Sequence, residues 1–147
     1  MYQREQFSDA LYSELRPIIT EQYEKICHFK HAPLNPNLAV YKKSDEAGYL
    51  RFYTARNDEG ELCGYATFFV IGNLHQMDSK RASHDSIYVL KSKRGFGHQF
   101  IRWMDEQLKA EGIDVVFHSV NALHDFSHIL KRLGYEKVET IYSRRLQ

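Results

Sequence analysis

The stretch from residue 85 to residue 112 constrains the fold most strongly, because it joins an apolar strand to an amphipathic helix through a short basic turn. The strand ends at Leu90, and Gly112 is a favourable residue just beyond the end of a helix. The apolar face of the helix is formed by Phe100, Ile101, Met104 and Leu108. If the helix is a crossover, the next strand runs parallel to the first.

The turn between this strand and this helix has the chemistry of an anion site. Backbone N–H groups point into such a turn, and the helix N-terminus adds positive potential there. Gly95 and Gly97 lack side chains that would keep an anion from the backbone. The sequence therefore predicts that the turn holds the pyrophosphate of a cofactor.

Hydrophobic periodicity predicts the remaining elements. In chain order they are a weak strand at 2–6, a helix at 9–29, a short helix from 38 to 48, strands at 50–55 and 62–71, a polar loop at 72–81, a strand at 82–90, a helix at 96–111, a strand at 114–120, a helix at 122–133 and a last strand at 135–144. Ser8 and Asn37 are the expected N-caps of the first two helices. Pro17 is expected to kink or break the first one.

This order predicts an α/β (α+β) fold with a mixed central sheet, helices on both faces and one βαβ unit. A chain of 147 residues with 43% hydrophobic residues is expected to form a single domain, 1–147. No apolar run approaches about 20 residues, so no membrane span or signal peptide is expected. Cys27 and Cys63 are expected to be reduced, as in a cytoplasmic protein.

Several motifs, taken in order, resemble the GNAT superfamily of acyl-CoA-dependent N-acyltransferases. They are the hairpin turn Asp58-Glu-Gly60 followed by Leu62-Cys-Gly-Tyr, the strand Asp85-Ser-Ile-Tyr-Val, the glycine turn, and Arg132-Leu-Gly-Tyr135 followed by Tyr142-Ser-Arg-Arg-Leu. The likeness covers almost the whole chain. It is strongest to small GNAT proteins often encoded by phages and prophages, which share a loop such as Asn73-Leu-His75. The resemblance implies the GNAT fold, acetyl-CoA as acyl donor, an amine as acceptor and no metal.

The glycine turn matches the family pattern Gln/Arg-x-x-Gly-x-Gly/Ala in two registers. In the first, Arg94 begins the pattern, Gly97 is its first glycine, and Gln99 stands where Gly or Ala is usual. In the second, Gly95 and Gly97 are the two glycines and Ser92 replaces Gln or Arg. The second register places the apolar pair of the helix where the family has its own, but the sequence leaves both registers open.

The resemblance places acetyl-CoA between the strands 82–90 and 114–120. It predicts as cofactor-binding residues Val89, Leu90, Lys91, Lys93, Arg94, Gly95, Phe96, Gly97 and His98. Asp85 is the candidate catalytic base, and burial would raise the pKa of its carboxyl. His118 on the neighbouring strand is a second catalytic candidate. The structural alternatives are that Asp85 orders a loop or pairs with Arg81, and that His118 is a hydrogen-bonded core residue.

The acceptor side is expected to combine the N-terminal helices, the loop 72–81 and the last strand. Its candidate residues are Tyr23, Tyr41, His75, Gln76, Met77 and Tyr142, with His75 and Tyr142 taken as substrate-binding. Leu130 stands where the family has a tyrosine acid, so Tyr88 and Tyr135 are the substitutes considered. His124 and His128 have the spacing of a metal pair on a helix, but no third ligand accompanies them.

Two other functions remain open for the sequence. One is a GNAT-fold domain without catalysis that serves as a binding or structural module, acting on a host or virion protein if it is phage-encoded. The other is a factor whose basic turn contacts nucleic acid, against which the net charge of +1 argues. A cytoplasmic location, in the host if the protein is phage-encoded, is expected, and a homodimer is left open.

Overall fold

A sheet of five strands forms the centre of the computed structural model, which describes residues 1–93 and 95–147. The strands are β1 (Tyr2–Glu5), β2 (Leu50–Arg56), β3 (Leu62–Asn73), β4 (Gln76–Val89) and β5 (Val115–Phe117). They lie in the order β1-β2-β3-β4-β5. Neighbours are antiparallel except for the parallel pair β4 and β5. The predicted mixed sheet is confirmed.

Helices cover both faces of this sheet, as predicted. They are α1 (Asp9–Ile26), α2 (Leu38–Glu46), α3 (Gly97–Ala110) and α4 (Ser127–Arg132). Residues of α1 and α2 pack in one apolar cluster with Phe52, Tyr65 and Tyr88. Residues of α3 and α4 pack in another with Phe68 and Ala82 on the opposite face. Since α3 joins the parallel strands β4 and β5, the predicted βαβ unit is also confirmed.

Helix α1 continues across Pro17, where the sequence predicts a kink or a break. Leu15 and Ile18 on either side of the proline are almost fully buried, so packing on the sheet holds the helix together there. The predicted cap is present, because the Ser8 hydroxyl accepts a hydrogen bond from the Leu11 N–H at 3.1 Å. The helix ends at Ile26 and not at Phe29.

Strands β3 and β4 form one long hairpin, and the predicted polar loop at 72–81 is wrong. Their pairing extends to Gly72↔Lys80 and Asn73↔Gln76. The pairing of β3 with β2 ends at Phe69, so the part of the hairpin beyond it, residues 70–81, extends past β2. We call this part the hairpin arm. Residues 72–81 lack the alternation of apolar and polar side chains that marks a half-buried strand. They still form a strand pair because backbone hydrogen bonds, and not burial, hold the two strands together.

The elements after α3 are shorter than predicted. β5 has three residues where a strand at 114–120 is predicted, and α4 has six where a helix at 122–133 is predicted. Side chains explain the lost helical turn. Asn121 accepts a hydrogen bond from the Leu123 N–H, and Asp125 accepts one from the Ser127 N–H, both at 2.8 Å. Such local bonds compete with the helical pattern until Ser127.

The last predicted strand, 135–144, is absent from the described residues. Tyr135 is anchored by a 2.6 Å hydrogen bond from its hydroxyl to Asp105, but residues 136–147 are all exposed and have no regular structure. We call residues 136–147 the tail. Its alternation of apolar and polar residues produces a strand only if a long neighbouring strand is available to pair with it. β5, at three residues, offers a short one.

Ending the chain after Tyr135 is expected to change the free energy of unfolding by less than about 0.5 kcal/mol, because the tail is exposed. Urea denaturation of the two proteins checks this. The control ends one residue earlier and should lose roughly 1–3 kcal/mol with the buried part of Tyr135 and its hydrogen bond. A large loss on removing the tail alone would show that it packs on the domain.

Candidate active site

The site is built around an extra residue in strand β4. Thr67 of β3 is opposite Ser86 and Phe68 is opposite His84, so Asp85 is the additional residue of a β-bulge. A bulge bends its strand and increases the local twist. The bulge displaces the backbone N–H of Ser86, and the Thr67 hydroxyl supplies its hydrogen-bond acceptor at 3.2 Å.

Strands β4 and β5 separate where this bulge begins. Their parallel ladder has three residue pairs and ends at Ser83↔Phe117. β4 nevertheless continues to Val89 without any further pairing to the described residues of β5. From Asp85 to Val89, the edge of β4 that faces away from β3 is therefore without a neighbouring strand among the described residues. An extended ligand with amide groups can pair with a strand edge of this kind.

The turn at the end of β4 has the arrangement that an anion site requires. A 3₁₀ turn at Lys91–Lys93 leads to Gly95, whose φ of 125° suits glycine. α3 then begins at Gly97, and none of the side chains that the structure describes caps its N-terminus. The first N–H groups of α3 are therefore available, and the exposed Lys91 and Lys93 add positive charge.

The helix start fits the second register of the glycine turn. Gly95 has the conformation that requires glycine, and Phe100 and Ile101 are buried as the apolar pair. Phe96 packs on Tyr2 with ring centroids 6.1 Å apart, so it covers the helix start. Arg94, which is also predicted to bind the cofactor, lies outside the described residues.

The carboxylate of Asp85 lies on the face of the sheet that α1 and α2 cover. Its Oδ2 is 3.4 Å from the Thr67 hydroxyl, a long hydrogen bond. Burial raises the pKa of Asp85 above the ordinary 3.8, and the Thr67 hydroxyl acts in the opposite direction. The side chain keeps access to solvent, and the described ion pairs do not include one with Arg81. It is therefore suited to take up a proton.

His118 lies on the other face of the sheet. The aromatic rings around it are those of Phe68, Phe126 and Tyr135. Its Nδ1 is 3.0 Å from Nδ1 of His84, so one ring donates a proton and the other accepts it. Burial lowers the pKa of His84 to about 4 and, with the charge of His84, that of His118 to about 3. The structure does not bring Asp85 and His118 together, and the catalytic role of His118 stays a prediction.

A cavity of about 420 Å³ lies between the sheet, α1, α2 and the loop that joins these helices. Four tyrosines are in its wall: Tyr12, Tyr23, Tyr41 and Tyr65. Ser86, which follows Asp85, also lines it. The charge of Asp85 contributes to the raised pKa of Tyr41 and of Tyr65, with burial as the main cause, so the carboxylate lies close to this wall.

Other predicted acceptor residues lie far from this cavity. His75 is at the tip of the β3–β4 hairpin, ten positions before Asp85, which corresponds to about 30 Å along a strand. Gln76 and Met77 are beside it and exposed. Tyr142 lies in the tail and is 90% exposed. The structure brings Tyr23 and Tyr41 to the cavity but not these four residues.

The two tyrosines considered as substitutes for the family acid both donate their hydroxyl protons to carboxylates. Tyr88 donates to Glu21 at 2.8 Å, and Tyr135 donates to Asp105 at 2.6 Å. Burial, and next the hydrogen-bonded carboxylate, raise the pKa of each phenol. Leu130 itself is a core residue, 7% exposed.

Sequence reasoning missed Thr67 and Tyr65. They lie on one face of β3, two residues apart, and both contribute to the environment of Asp85. Hydroxyl groups in an otherwise apolar strand were the available signal, since a buried hydroxyl needs a partner. The bulge that supplies this partner cannot be recognised from the sequence, because it is defined by the register between β3 and β4.

No group of three or more His, Cys, Asp or Glu side chains within 1–93 and 95–147 is arranged to hold a metal ion. α4 begins at Ser127, so His124 and His128 do not form the helical pair that their spacing predicts. In the same part of the chain, no helix has the length and apolar character needed to cross a membrane.

Comparisons with known proteins agree with this architecture. The model of the acetyltransferase (GNAT) family matches residues 9–135. A search of curated proteins finds no match.

Three solved structures illustrate the likeness in fold. A ribosomal-protein-alanine N-acetyltransferase from Brucella melitensis biovar Abortus 2308 has 15% identity and a TM-score of 0.73, covering 99% of both chains. The aminoglycoside acetyltransferase meta-AAC0020 from an uncultured soil metagenomic sample, in complex with sisomicin, has 16% identity and a TM-score of 0.76, covering 100% of this chain and 96% of its own. A predicted acetyltransferase from Clostridium acetobutylicum with acetyl-CoA has 12% identity and a TM-score of 0.66, covering 99% of this chain and 97% of its own.

The buried histidine pair predicts that stability falls in mild acid. The folded-state pKa values of about 4 for His84 and about 3 for His118 are below the ordinary 6.5, so the unfolded chain binds protons first as the pH falls. Their contribution is complete above the unfolded pKa and is lost progressively below it. Between pH 7 and pH 5, each histidine should lower the free energy of unfolding by roughly 1–2 kcal/mol.

Urea denaturation at both pH values checks this in the double variant His84→Gln/His118→Gln, which should lose much of the pH dependence. The control is His31→Gln/His75→Gln, which removes two exposed histidines and should keep it. Equal pH dependence in all three proteins would contradict the neutral, buried state of the pair.

Proposed function

Because the chain belongs to the acetyltransferase (GNAT) family, we propose that it transfers an acetyl group from acetyl-CoA to a primary amine. One observation carries this proposal: the bulge at Asp85 places an accessible carboxylate beside a cavity on one side and an open strand edge on the other. We further propose that residues 1–147 act as one domain. The phage-type relationship and the cytoplasmic location stay predictions, and the oligomeric state stays open.

The residues of the turn fit the phosphates of acetyl-CoA. A Cβ at Gly97 would make an ordinary van der Waals contact with Ile129 Cδ1, at 3.6 Å, and would meet no other atom of the described residues closely, so the backbone at the helix start is not crowded. The N–H groups at the start of α3 would hold the pyrophosphate, and Lys91 and Lys93 would add charge. The edge of β4 up to Val89 would pair with the amide groups of the pantetheine arm. The solved acetyltransferase with acetyl-CoA supports the same use of the fold.

Acetyl-CoA supplies an activated acyl group with a thiolate as leaving group. Asp85 takes a proton from the ammonium group of the acceptor, directly or through a water. The free amine then forms a bond to the acetyl carbon as the carbon–sulfur bond breaks, and the nitrogen gives its second proton to the departing thiolate or to water, which leaves a neutral amide. A backbone N–H of the open β4 edge stabilises the negative charge that develops on the carbonyl oxygen. The raised pKa of Asp85 makes it a stronger base than an ordinary carboxylate.

Departure of the thiolate needs no acid from this chain. A thiol has a pKa of about 8.5, so the thiolate is a good leaving group near neutral pH. Leu130 at the position of the family tyrosine is therefore compatible with turnover. Because the hydroxyls of Tyr88 and Tyr135 are engaged with carboxylates, neither is assigned as an acid.

The change Gly97→Glu tests the phosphate site. We expect it to weaken acetyl-CoA binding by more than about tenfold, because the new carboxylate would repel phosphate. The fold should tolerate it, since a Cβ there would make only an ordinary contact with the Ile129 side chain and an acidic residue suits a helix N-terminus. The control Gly72→Glu adds the same charge at an open position in the hairpin arm. Calorimetric titration measures the affinity of each variant for acetyl-CoA. Equal affinities of the Gly97→Glu and Gly72→Glu variants would show that the turn is not the phosphate site.

The change Asp85→Asn tests the base. We expect kcat/KM for the acceptor to fall by roughly 100-fold or more, with acetyl-CoA affinity unchanged. In the original protein, kcat/KM should rise with pH through the raised pKa of Asp85, and this limb should be missing in the variant. Asp78→Asn, an exposed position on the same strand, is the control. Unchanged turnover of the Asp85 variant would remove the assignment.

These experiments also separate the enzyme from a binding module without catalysis. A module of that kind would leave amines unmodified under conditions in which acetyl-CoA is bound. A chain that shows no heat with acetyl-CoA and no turnover would contradict the proposed function entirely.

A further inference from the structure

We propose that the cavity beside Asp85 binds a small monoamine whose amino group is carried on an apolar body, preferably an aromatic one. This inference rests on the proposed function, in which the same cavity receives the acceptor. It goes beyond it because it names the chemical class of the acceptor from the cavity wall.

The wall of the cavity is aromatic and carries no formal charge. None of the described residues that line it is Asp, Glu, Lys, Arg or His. The sheet and α2 contribute Phe52, Tyr65 and Tyr41, and α1 contributes Tyr12 and Ile19. Such a surface favours an apolar ligand body and offers aromatic faces to an ammonium group.

The polar ends of two wall tyrosines are already engaged within the protein. Tyr23 donates its hydroxyl proton to the carbonyl of Ala32, and Tyr65 donates to Oε1 of Gln22. These residues therefore present mainly their rings to the cavity. Few polar groups remain in the wall to pair with a ligand rich in hydroxyl groups, Asn35 and Ser86 among them.

The carboxylate of Asp45 already accepts a hydrogen bond from the N–H of the wall residue Phe7, at 2.7 Å. The carboxylate of Asp85 is related to the wall through the neighbouring Ser86 and through its influence on Tyr41 and Tyr65. A single ammonium group can pair with it. A second or third ammonium group would lie in an aromatic cavity without a charged partner, which is costly. The charge pattern therefore favours a monoamine over a polyamine or an aminoglycoside.

The cavity also limits the size of the acceptor. Its volume of about 420 Å³ is at the lower end of the range for small-molecule sites. The loop that joins α1 to α2 closes one side through Phe29, Pro33, Leu34 and Pro36. A free small amine fits this enclosure better than the amino group of a folded protein.

A panel of amines tests the proposal in the unmodified protein with acetyl-CoA. The probes are 2-phenylethylamine, spermidine, sisomicin and a lysine-containing peptide. We expect kcat/KM for 2-phenylethylamine to exceed that for each of the others by about 100-fold. A higher kcat/KM for spermidine, sisomicin or the peptide would overturn the inference while leaving acetyl transfer intact.

Direct binding separates this inference from the proposed function. If no amine is acetylated, calorimetric titration of 2-phenylethylamine and spermidine decides the ligand class. Tighter binding of 2-phenylethylamine would support the cavity assignment and reject only the transfer reaction. Equal or absent binding of both amines would overturn the cavity assignment.

A gain of specificity provides a second test. Asn35→Asp adds a second carboxylate to the wall, so it should raise kcat/KM for spermidine relative to 2-phenylethylamine by about tenfold. Gln107→Glu makes the same chemical change on α3, across the sheet, and should leave this ratio unchanged. An unchanged ratio in the Asn35 variant would overturn the placement of the acceptor in this cavity.

Discussion

One additional residue in strand β4 determines how the rest of the site is arranged. The bulge at Asp85 lies two residues beyond Ser83, which forms the last residue pair between β4 and β5, so the sheet opens close to where the strand bends. The Thr67 hydroxyl makes this irregularity tolerable, because it accepts the Ser86 N–H that the bulge displaces. The open edge, the position of Asp85 and the approach to the glycine turn all depend on this local change in register.

The bulge also places two adjacent ionisable residues of β4, His84 and Asp85, on opposite faces of the sheet. His84 points to the α3 and α4 side, where it pairs with His118 in an aromatic core and stays neutral. Asp85 points to the α1 and α2 side, where it is crowded enough for a raised pKa but still reaches solvent. One face of the sheet therefore uses ionisable groups for packing, and the other keeps one available for proton transfer beside the cavity.

Much of the fold could be predicted because its signals are local. Apolar periodicity and caps such as Ser8 specify the helices, and the order of elements specifies the βαβ unit. The failures depend on distant partners: the strand pattern of 135–144 has only a three-residue neighbour, and residues 72–81 of the hairpin arm are held by backbone pairing that composition does not reveal. Asp85 could be named as a candidate, but its bulge and its separation from His118 depend on register between strands.

In the proposed function, acetyl-CoA binds along the opened edge of β4 and at the start of α3. Hydrogen–deuterium exchange with and without acetyl-CoA tests it most directly. We expect slower exchange in the peptides that cover residues 85–90 and 95–99, with little change in the hairpin arm or in residues 136–147. Protection that leaves both of these segments unaffected, or no protection at saturating acetyl-CoA, would contradict it.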